Sequence, residues 1–353
     1  MGTESIEASF LSIFALISFF IFLLVNKYSH KIKEGALLDK DFLKPQAFHE
    51  FPVTRSGGVA SIVSLSIFFV IYYLLYSKIL YDYIFISYSM FLIGFLDDLK
   101  VSIKPFKRLI LMVLLLFLFI YILPIKIVNM DIPFLMSLMS SHIFSSVFVL
   151  LCFLFVINGA NLIDGFNGLL AINIIIINIV LVYINMNNEN FEFSILLISQ
   201  IIILLSFLLF NFPNAKIFLG DSGAYLFGAL TSLNTIITNN LNPKISSFFF
   251  CTLLFYLFFE VFFSFFRKLM QKKSPIYPDD KHLHMLSFYK ISSIYGKNKG
   301  NYLNSIIINF FYIILIIPGL YLADDPNLSR YWFFIILIIY LIIYSRLYRL
   351  TKN

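Results

Sequence analysis

The chain has 353 residues, of which 60% are hydrophobic and 13% charged, and its formal net charge is +7. This composition lies outside the range of water-soluble domains of this length, so the bilayer is predicted to be its solvent. The basic residues fall between apolar runs, where membrane orientation explains them better than a nucleic-acid partner does. Cys152 and Cys251 lie inside apolar stretches and form neither a disulfide framework nor a metal-binding pattern.

Eleven apolar runs follow one another, each close to the roughly 20 residues that a membrane-spanning helix needs. The first lacks the basic leader and the cleavage site of a signal peptide, so it is predicted to be a retained helix. None shows the alternation of a barrel strand. We therefore predict an all-α, polytopic membrane helix bundle of about 11 transmembrane helices, forming one domain over residues 1–353. The runs lie near 10–26, 59–77, 80–96, 108–125, 144–158, 168–185, 194–211, 222–238, 245–266, 303–323 and 331–347.

The lysines and arginines gather on one side of this bundle if successive helices alternate in direction. Of the 26 basic residues, only Lys78, Lys126, Lys244 and Arg330 fall on the other side. Basic loops resist translocation and stay in the cytoplasm. We therefore predict a cell-membrane protein with its N-terminus outside and its C-terminus cytoplasmic. The predicted cytoplasmic loops lie near 27–58, 97–108, 158–168, 212–222 and 267–302.

Two adjacent carboxylates, Asp97 and Asp98, close the third apolar run at the predicted cytoplasmic boundary. Paired carboxylates attract a divalent cation. Adjacent helical residues do not face one point, so one Asp is expected to bind metal while the other serves as base, in an order that the sequence leaves open. A solvated helix end is the alternative interpretation.

Polar residues recur at spacing three in the segment 158–168, where Asn158, Asn161 and Asp164 would form one stripe on a helix. Buried amides and a carboxylate suit a site that binds hydroxyls, amides or a base through hydrogen bonds. Polar packing between helices is the alternative.

Asp221 lies in a short glycine-containing segment that opens the eighth apolar run. Backbone N–H groups and the helix dipole would meet a diphosphate there, while Asp221 holds a bridging cation. An ordinary helix N-cap is the alternative.

The longest polar interval, 267–301, contains His282 and His284. Side chains at spacing two point apart on a helix, so His282 alone is expected to reach the site and to contact a pyrophosphate or orient an acceptor. A surface-loop histidine is the alternative. Zinc is disfavoured because neither thiolates nor a third histidine accompany the pair.

Arg55, with His49 upstream, leads into the second apolar run, where a guanidinium would hold a lipid phosphate. Membrane topology alone also explains Arg55. Lys104, Lys107 and Arg108 follow the paired aspartates and carry the same ambiguity, with a solvated face slightly favoured. All these groups fall on the predicted cytoplasmic side, as one site using a cytosolic donor requires.

In their order along the chain, these segments resemble the polyprenyl-phosphate N-acetylhexosamine-1-phosphate transferase family, which includes undecaprenyl-phosphate GlcNAc-1-phosphate and phospho-MurNAc-pentapeptide transferases. The resemblance implies a Mg2+-dependent enzyme, with Mn2+ as a substitute ion. Such an enzyme transfers a sugar 1-phosphate from a UDP-sugar to undecaprenyl or another polyprenyl phosphate and releases UMP. The resemblance also allows a homodimer. Carried over by motif, the metal ligands are Asp221 and Asp97, the catalytic residues Asp97, Asp98 and His282, and the substrate-binding residues Asn158, Asn161, Asp164, Asn167, Arg55, Lys107 and His284.

Two positions depart from the family pattern. Asn167 stands where many relatives carry an aspartate, and Met285 interrupts the histidine run of the MurNAc-pentapeptide branch. The short His-x-His form is closer to the GlcNAc-type branch. We therefore expect initiation of a cell-surface polysaccharide or a teichoic acid rather than peptidoglycan synthesis.

Two other classes of protein share parts of this pattern. Intramembrane Asp and Asn residues in an eleven-span chain are also typical of a transporter or lipid flippase. Carriers place such residues near the midplane in paired, broken helices, whereas here they gather at one boundary and no repeat is visible. A scaffold of a polysaccharide assembly complex would keep the helices and make the motifs accidental.

Overall fold

The computed structural model describes residues 3–29, 37–39, 52–101, 103–274 and 279–352. Helices dominate, and two short strands precede the second helix. The elements are α1 Thr3–Tyr28, β1 Leu38–Asp39, β2 Val53–Thr54, α2 Gly57–Tyr76, α3 Tyr81–Asp98, α4 Pro105–Ile122, α5 Pro133–Met139, α6 His142–Ile163, α7 Leu169–Asn187, α8 Phe191–Asn211, α9 Gly220–Leu241, α10 Ser247–Leu253, α11 Phe255–Met270, α12 Leu283–Tyr295, α13 Lys297–Tyr321 and α14 Pro326–Lys352.

The predicted all-α polytopic bundle is confirmed. Within the described ranges, eight helices are long and apolar enough to cross a membrane, namely α1, α2, α4, α6, α7, α8, α13 and α14. The pair α10 and α11, bent by 76°, makes a ninth if it is one broken span. The predicted runs at 80–96 and 222–238 form α3 and α9, which are more polar than the other spans. In α3 the cause is three aspartates, Asp82, Asp97 and Asp98, in 18 residues.

α9 lies at the centre of the bundle, where it packs against α2, α3, α6 and α7. Glycines on the neighbouring helices allow this close approach. A Cβ on Gly94 of α3 would come 2.3 Å from the Asp221 carbonyl oxygen, and one on Gly58 of α2 would come 2.2 Å from Ser222 Oγ. The backbones of α2 and α3 therefore meet the first turn of α9 at the two motifs that contain aspartates.

Buried amides link the helices in the middle of the bundle. Asn234 of α9 donates to Gln200 Oε1 of α8 at 2.7 Å, and the Tyr83 hydroxyl of α3 donates to Asn234 Oδ1 at 2.8 Å. Side-chain hydrogen bonds of this kind hold helices together where lipid supplies no hydrophobic driving force. They fix α3, α8 and α9 relative to one another.

The apolar run near 245–266 was predicted as one helix, and the structure corrects this by breaking it at Leu254. The Tyr312 hydroxyl of α13 donates to the Leu253 carbonyl oxygen beside the break. A carbonyl released from the helical ladder needs another donor inside an apolar bundle, and Tyr312 supplies it. Neither proline nor glycine marks the break.

The two strands hold the segment before α2 against the start of α9. Leu38 and Asp39 pair antiparallel with Thr54 and Val53, and Phe218 N–H donates to the Thr54 carbonyl at 2.8 Å. This arrangement sets Arg55 at the entrance to α9. His49, named with Arg55 in the sequence prediction, lies outside the described residues.

Candidate active site

Asp98, the last residue of α3, caps the N-terminus of α9. Its Oδ1 accepts from Asp221 N–H at 3.0 Å, and its Oδ2 accepts from Ser222 N–H at 2.9 Å and from Ser222 Oγ at 2.6 Å. The first N–H groups of a helix have no partner within the helix, and a carboxylate is a favourable acceptor there. Asp98 is 1% exposed. It therefore fixes the start of α9, and with it the position of Asp221.

The close approach of Asp98 requires Gly220. This residue has φ 77°, a left-handed conformation that favours glycine. A Cβ there would come 2.7 Å from Asp98 Oδ2. Glycine is therefore needed at position 220 because any side chain there would collide with Asp98, in addition to the role of this segment in opening α9.

Asp97 and Asp221 share one cation. Arg108 Nη1, from the first turn of α4, lies 2.7 Å from Asp97 Oδ2 and 2.9 Å from Asp221 Oδ2. The exposed fractions of the three side chains are 29% for Asp97, 19% for Asp221 and 20% for Arg108. Two carboxylates from different helices thus converge on one position that solvent can reach, although the sequence placed them 124 residues apart.

α6 adds an amide and a carboxylate to this group. Asn161 Nδ2 donates to Asp221 Oδ1 at 3.0 Å. Asp164, just after α6, interacts electrostatically with Asp221 and Asp98. We call Asp97, Asp98, Asn161, Asp164, Asp221 and Arg108 the acidic site.

Asn158 and Asn167, predicted to bind substrate, make contacts elsewhere. Asn158 Nδ2 donates to the Leu154 carbonyl oxygen of its own helix at 2.7 Å. The Asn167 backbone N–H donates to Asn301 Oδ1 at 2.8 Å, and its side-chain Nδ2 donates to the Pro213 carbonyl oxygen at 2.8 Å. Asn167 therefore ties the connection after α6 to the one before α9 and to α13.

Arg55 lies between Asp39 and the acidic site. Its Nη2 is 2.7 Å from Asp39 Oδ2, and its Nη1 is 3.7 Å from Asp98 Oδ1. Burial alone would lower the pKa of the Arg55 guanidinium, but the carboxylates of Asp221 and Asp39 raise it above its ordinary value. The group therefore stays cationic beside the acidic site.

The basic residue of α4 that reaches the acidic site is Arg108. Lys107, which the sequence prediction named for substrate binding, is exposed on another face of the first turn. For Arg108 the sequence had left phosphate binding open and slightly favoured a solvated face. Successive residues of a helix point about 100° apart, so the choice between the two depends on how α4 packs.

His282 belongs to a second polar cluster, which sequence reasoning had not assembled. Its Nδ1 lies 3.2 Å from Glu260 Oε2 and its Nε2 lies 3.2 Å from Asp279 Oδ1, while Asp279 pairs with Arg267 at 2.7 Å. Burial alone would lower the pKa of His282, but hydrogen bonds with Asp279 and Glu260 raise it. Burial likewise opposes ionisation of Asp279, yet hydrogen bonds from His282 and Arg267 lower its pKa well below the usual range. The cluster therefore holds an imidazolium between two carboxylates.

The two histidine rings do not point apart, as their spacing had suggested. They stack at 5.5 Å with an interplanar angle of 3°. α12 begins at Leu283, so His282 precedes the helix and the spacing rule for helical side chains does not apply to it. His284 is buried against Tyr256, and burial lowers its pKa to about 3, so its ring is neutral.

Glu260 is the functional candidate that sequence reasoning missed. It is 1% exposed within α11, and its Oε1 accepts from Leu283 N–H at 3.1 Å and from the Tyr340 hydroxyl at 2.8 Å. An acidic residue in an otherwise apolar run is itself a signal. In the described part of the chain, His282 and His284 bond to Glu260, Asp279 and Tyr256, and to none of the carboxylates of the acidic site.

Part of the chain matches a known family. Residues 80–239 match the family described as Glycosyl transferase family 4. Over 145 residues the chain is 33% identical to the undecaprenyl-phosphate alpha-N-acetylglucosaminyl 1-phosphate transferase of Thermotoga maritima, a match that covers 41% of this chain and 44% of the relative. Over 154 residues it is 32% identical to the phospho-N-acetylmuramoyl-pentapeptide-transferase of Streptococcus thermophilus, covering 41% and 45%.

These matches confirm the family resemblance that the motifs suggested. The chain spans less than half the length of these curated relatives. The family match includes Asp97, Asp98, Asn161, Asp164 and Asp221, whereas Arg55 and His282 lie outside residues 80–239. The family match thus covers the whole acidic site, together with Lys107, Asn158 and Asn167.

Proposed function

On the premise that residues 80–239 match glycosyl transferase family 4, we propose that this protein transfers a sugar 1-phosphate from a UDP-sugar to a polyprenyl phosphate. The observation that carries the proposal is the convergence of Asp97, Asp221 and Asn161 from three helices on one solvent-accessible point. Clustered ionisable side chains that face the interior of a membrane bundle mark functional sites. In the reaction, an oxygen of the polyprenyl phosphate bonds to the sugar-bearing phosphorus, the bond from that phosphorus to the bridging oxygen breaks, and UMP leaves.

The donor set of the acidic site fits Mg2+. Asp97 Oδ2 and Asp221 Oδ2 converge on one position, and oxygen ligands are those that this ion prefers. Among the described residues, no three His, Cys, Asp or Glu side chains are grouped to hold a metal by themselves. Such a partial set agrees with a Mg2+ ion that takes one or two carboxylates and completes its shell with substrate phosphates and water. Bound there, Mg2+ or Mn2+ would neutralise charge on the diphosphate.

We assign Asp98 a positioning role, because its oxygens are buried and accept from Asp221 and Ser222. The acceptor needs little help from a base, since a phosphate monoester is largely ionised near neutral pH. Asp97 is the more accessible of the paired aspartates. Arg55, cationic and next to the site, is suited to hold a phosphate of the lipid or of the donor.

The remaining assignments from the sequence stay predictions. Asn161 and Asp164 lie where they would hydrogen-bond the uridine or the sugar. His282 is proposed to contribute to catalysis through the second polar cluster. Substrate-binding roles stay predictions for Asn158, Asn167, Lys107 and His284. A homodimer likewise stays a prediction.

We also propose that the acidic site faces the cytoplasm of a cell membrane, where nucleotide sugars are made. The uneven distribution of lysines and arginines supports this side. If the helices alternate in direction as the sequence predicts, the ends of α3 and α6 and the start of α9 fall on the side that collects the basic residues.

Two donors have specific support from relatives. A UDP-GlcNAc-type donor fits the short His282-Leu283-His284 form and the similarity to the Thermotoga protein. A UDP-MurNAc-pentapeptide donor is favoured by the similarity to the Streptococcus protein. We favour the first, with initiation of a cell-envelope polysaccharide as its purpose, because Met285 interrupts the longer histidine run.

The deciding experiment is a donor panel. Purified protein is incubated with undecaprenyl phosphate, Mg2+ and UDP-GlcNAc, UDP-GalNAc or UDP-MurNAc-pentapeptide, and UMP release and lipid product are measured. We expect one donor to give both. Uptake of substrate into proteoliposomes without UMP release would instead identify a transporter or flippase.

Asp221→Asn tests the site itself. The variant removes one of the two converging carboxylates while keeping an isosteric side chain that can still meet Asn161. We expect loss of Mg2+-dependent UMP release with normal yield of folded protein. Near-normal turnover would remove Asp221 from the site.

A further inference from the structure

The position between Asp97 and Asp221 is filled by a cation of the chain itself. One nitrogen atom, Arg108 Nη1, lies within 2.9 Å of both carboxylates. Two carboxylates that contact the same atom repel each other unless that atom carries positive charge. The guanidinium therefore does in this structure what a divalent ion between the same oxygens would do.

The surroundings of Arg108 allow it to leave. It comes from α4, a different helix from those of Asp97 and Asp221, and a fifth of the side chain is exposed. Its guanidinium carbon lies 5.6 Å from the centre of the Tyr225 ring, which attracts the cation without offering the fixed acceptor atoms of a carboxylate. Arg267, by contrast, is 8% exposed and holds both oxygens of Asp279.

We propose that Arg108 is an internal counter-ion that competes with a divalent cation for the position between Asp97 and Asp221. The affinity of the protein for the ion is then set by displacement of its own guanidinium. Once displaced, the planar guanidinium has N–H donors available to bind phosphate oxygens. Ion binding thus prepares a second cationic group for a diphosphate. The inference rests on the proposed function only for the identity of the ion as Mg2+.

Chemical footprinting of the wild-type protein tests the displacement. Phenylglyoxal modifies free guanidinium groups, and the extent of modification at each arginine is measured by peptide mass spectrometry. The protein is titrated with Mg2+ at constant ionic strength, with neither donor nor acceptor present. We expect modification of Arg108 to rise several-fold with Mg2+, while Arg267 stays unchanged as an internal control. Unchanged or reduced modification of Arg108 would overturn the proposal.

Ion affinity provides the second test, with Mn2+ as the probe and electron paramagnetic resonance of free Mn2+ as the readout. Coulomb repulsion between a divalent ion and a guanidinium a few ångströms away, at high dielectric, corresponds to about tenfold in affinity. We expect Arg108→Gln to bind Mn2+ about tenfold more tightly and Arg108→Lys to stay near the wild type. Lys104→Gln, an exposed residue at the start of the same helix, removes one charge outside the site and is the matched control.

Binding to Arg108→Gln that is no tighter than binding to Lys104→Gln would contradict the competition. Size-exclusion profiles establish that each variant is folded, and if Arg108→Gln is not, the footprinting of wild-type protein decides alone. Neither experiment contains a nucleotide sugar. A protein that fails to release UMP but shows both effects would therefore refute the proposed function and retain this inference.

Discussion

Substitution of Glu260 by Gln isolates the charge of the second polar cluster. Glu260 Oε1 accepts from Leu283 N–H and from the Tyr340 hydroxyl, whereas Oε2 faces His282 Nδ1 at 3.2 Å. The amide oxygen of a glutamine can keep both Oε1 bonds. Its NH2 group would then meet His282 Nδ1, which can accept only when the ring is neutral. The variant thus exchanges a charge-assisted bond for a neutral one.

The expected loss of stability follows from that exchange. A hydrogen bond to a charged group contributes about 1.5–3 kcal/mol and a neutral one about 1 kcal/mol, so Glu260→Gln should cost about 0.5–2 kcal/mol. Glu260→Ala would in addition leave the partly buried Leu283 N–H and the buried Tyr340 hydroxyl without this acceptor. Each such group costs about 1–3 kcal/mol, so the alanine variant should be the less stable of the two.

The same substitution changes the pH dependence of stability. The pKa of His282 is raised in the folded protein, so its contribution is fully present below the unfolded value of about 6.5 and is lost as pH rises through the folded value. Removing one of its two carboxylate partners lowers the folded pKa. The stability contribution of His282 should therefore be smaller in Glu260→Gln, and its loss with rising pH should be complete at a lower pH than in the wild type.

Thermal unfolding in detergent between pH 6 and pH 9, followed by intrinsic fluorescence, measures both effects. Glu192→Gln is the matched control. Glu192 is 45% exposed and pairs with Lys78, and a glutamine oxygen can still accept from the Tyr72 hydroxyl, so stability should change by less than about 1 kcal/mol. If Glu260→Gln unfolds at the wild-type temperature with the wild-type pH profile, His282 is not held as an imidazolium.

Two further substitutions test contacts near the acidic site. Ser222→Ala removes the 2.6 Å bond to Asp98, so we expect a loss of about 1.5–3 kcal/mol in thermal unfolding, well above that of Ser232→Ala, whose hydroxyl bonds only a carbonyl of its own helix. Equal losses would show that the Asp98 cap contributes nothing specific. Asn167→Asp, which restores the aspartate of many relatives, places a carboxylate against the Pro213 carbonyl oxygen. It should lower stability by about 1 kcal/mol, and unchanged unfolding would show that the bond from Asn167 is dispensable.

The convergence of the acidic site was predictable because each of its motifs begins or ends an apolar run. Alternation of the helices places Asp97, Asn161 and Asp221 at one boundary whatever the details of packing. The sequence could not divide the roles of Asp97 and Asp98. That division depends on which carboxylate meets the first turn of α9, a contact between segments more than 120 residues apart.

Other features depend on packing that periodicity does not record. Lys107 and Arg108 are neighbours in the first turn of α4, and only the rotation of the helix decides which one faces Asp97. The break at Leu254 has neither a proline nor a glycine to announce it. Glu260 was a different case, since its charge stood out within an apolar run and the sequence alone would have justified naming it.

The central position of α9 has a consequence for biogenesis. α3 and α9 fall outside the eight helices that are apolar enough to cross a membrane by themselves, so neither should partition stably into lipid during synthesis. α9 packs against α2, α3, α6 and α7, all of which are made before it. Retention of α3 beside the insertion machinery until α9 emerges would let both enter the bilayer together. The Asp98 cap would then form in that same event, and a chain interrupted before residue 220 would leave α3 poorly anchored.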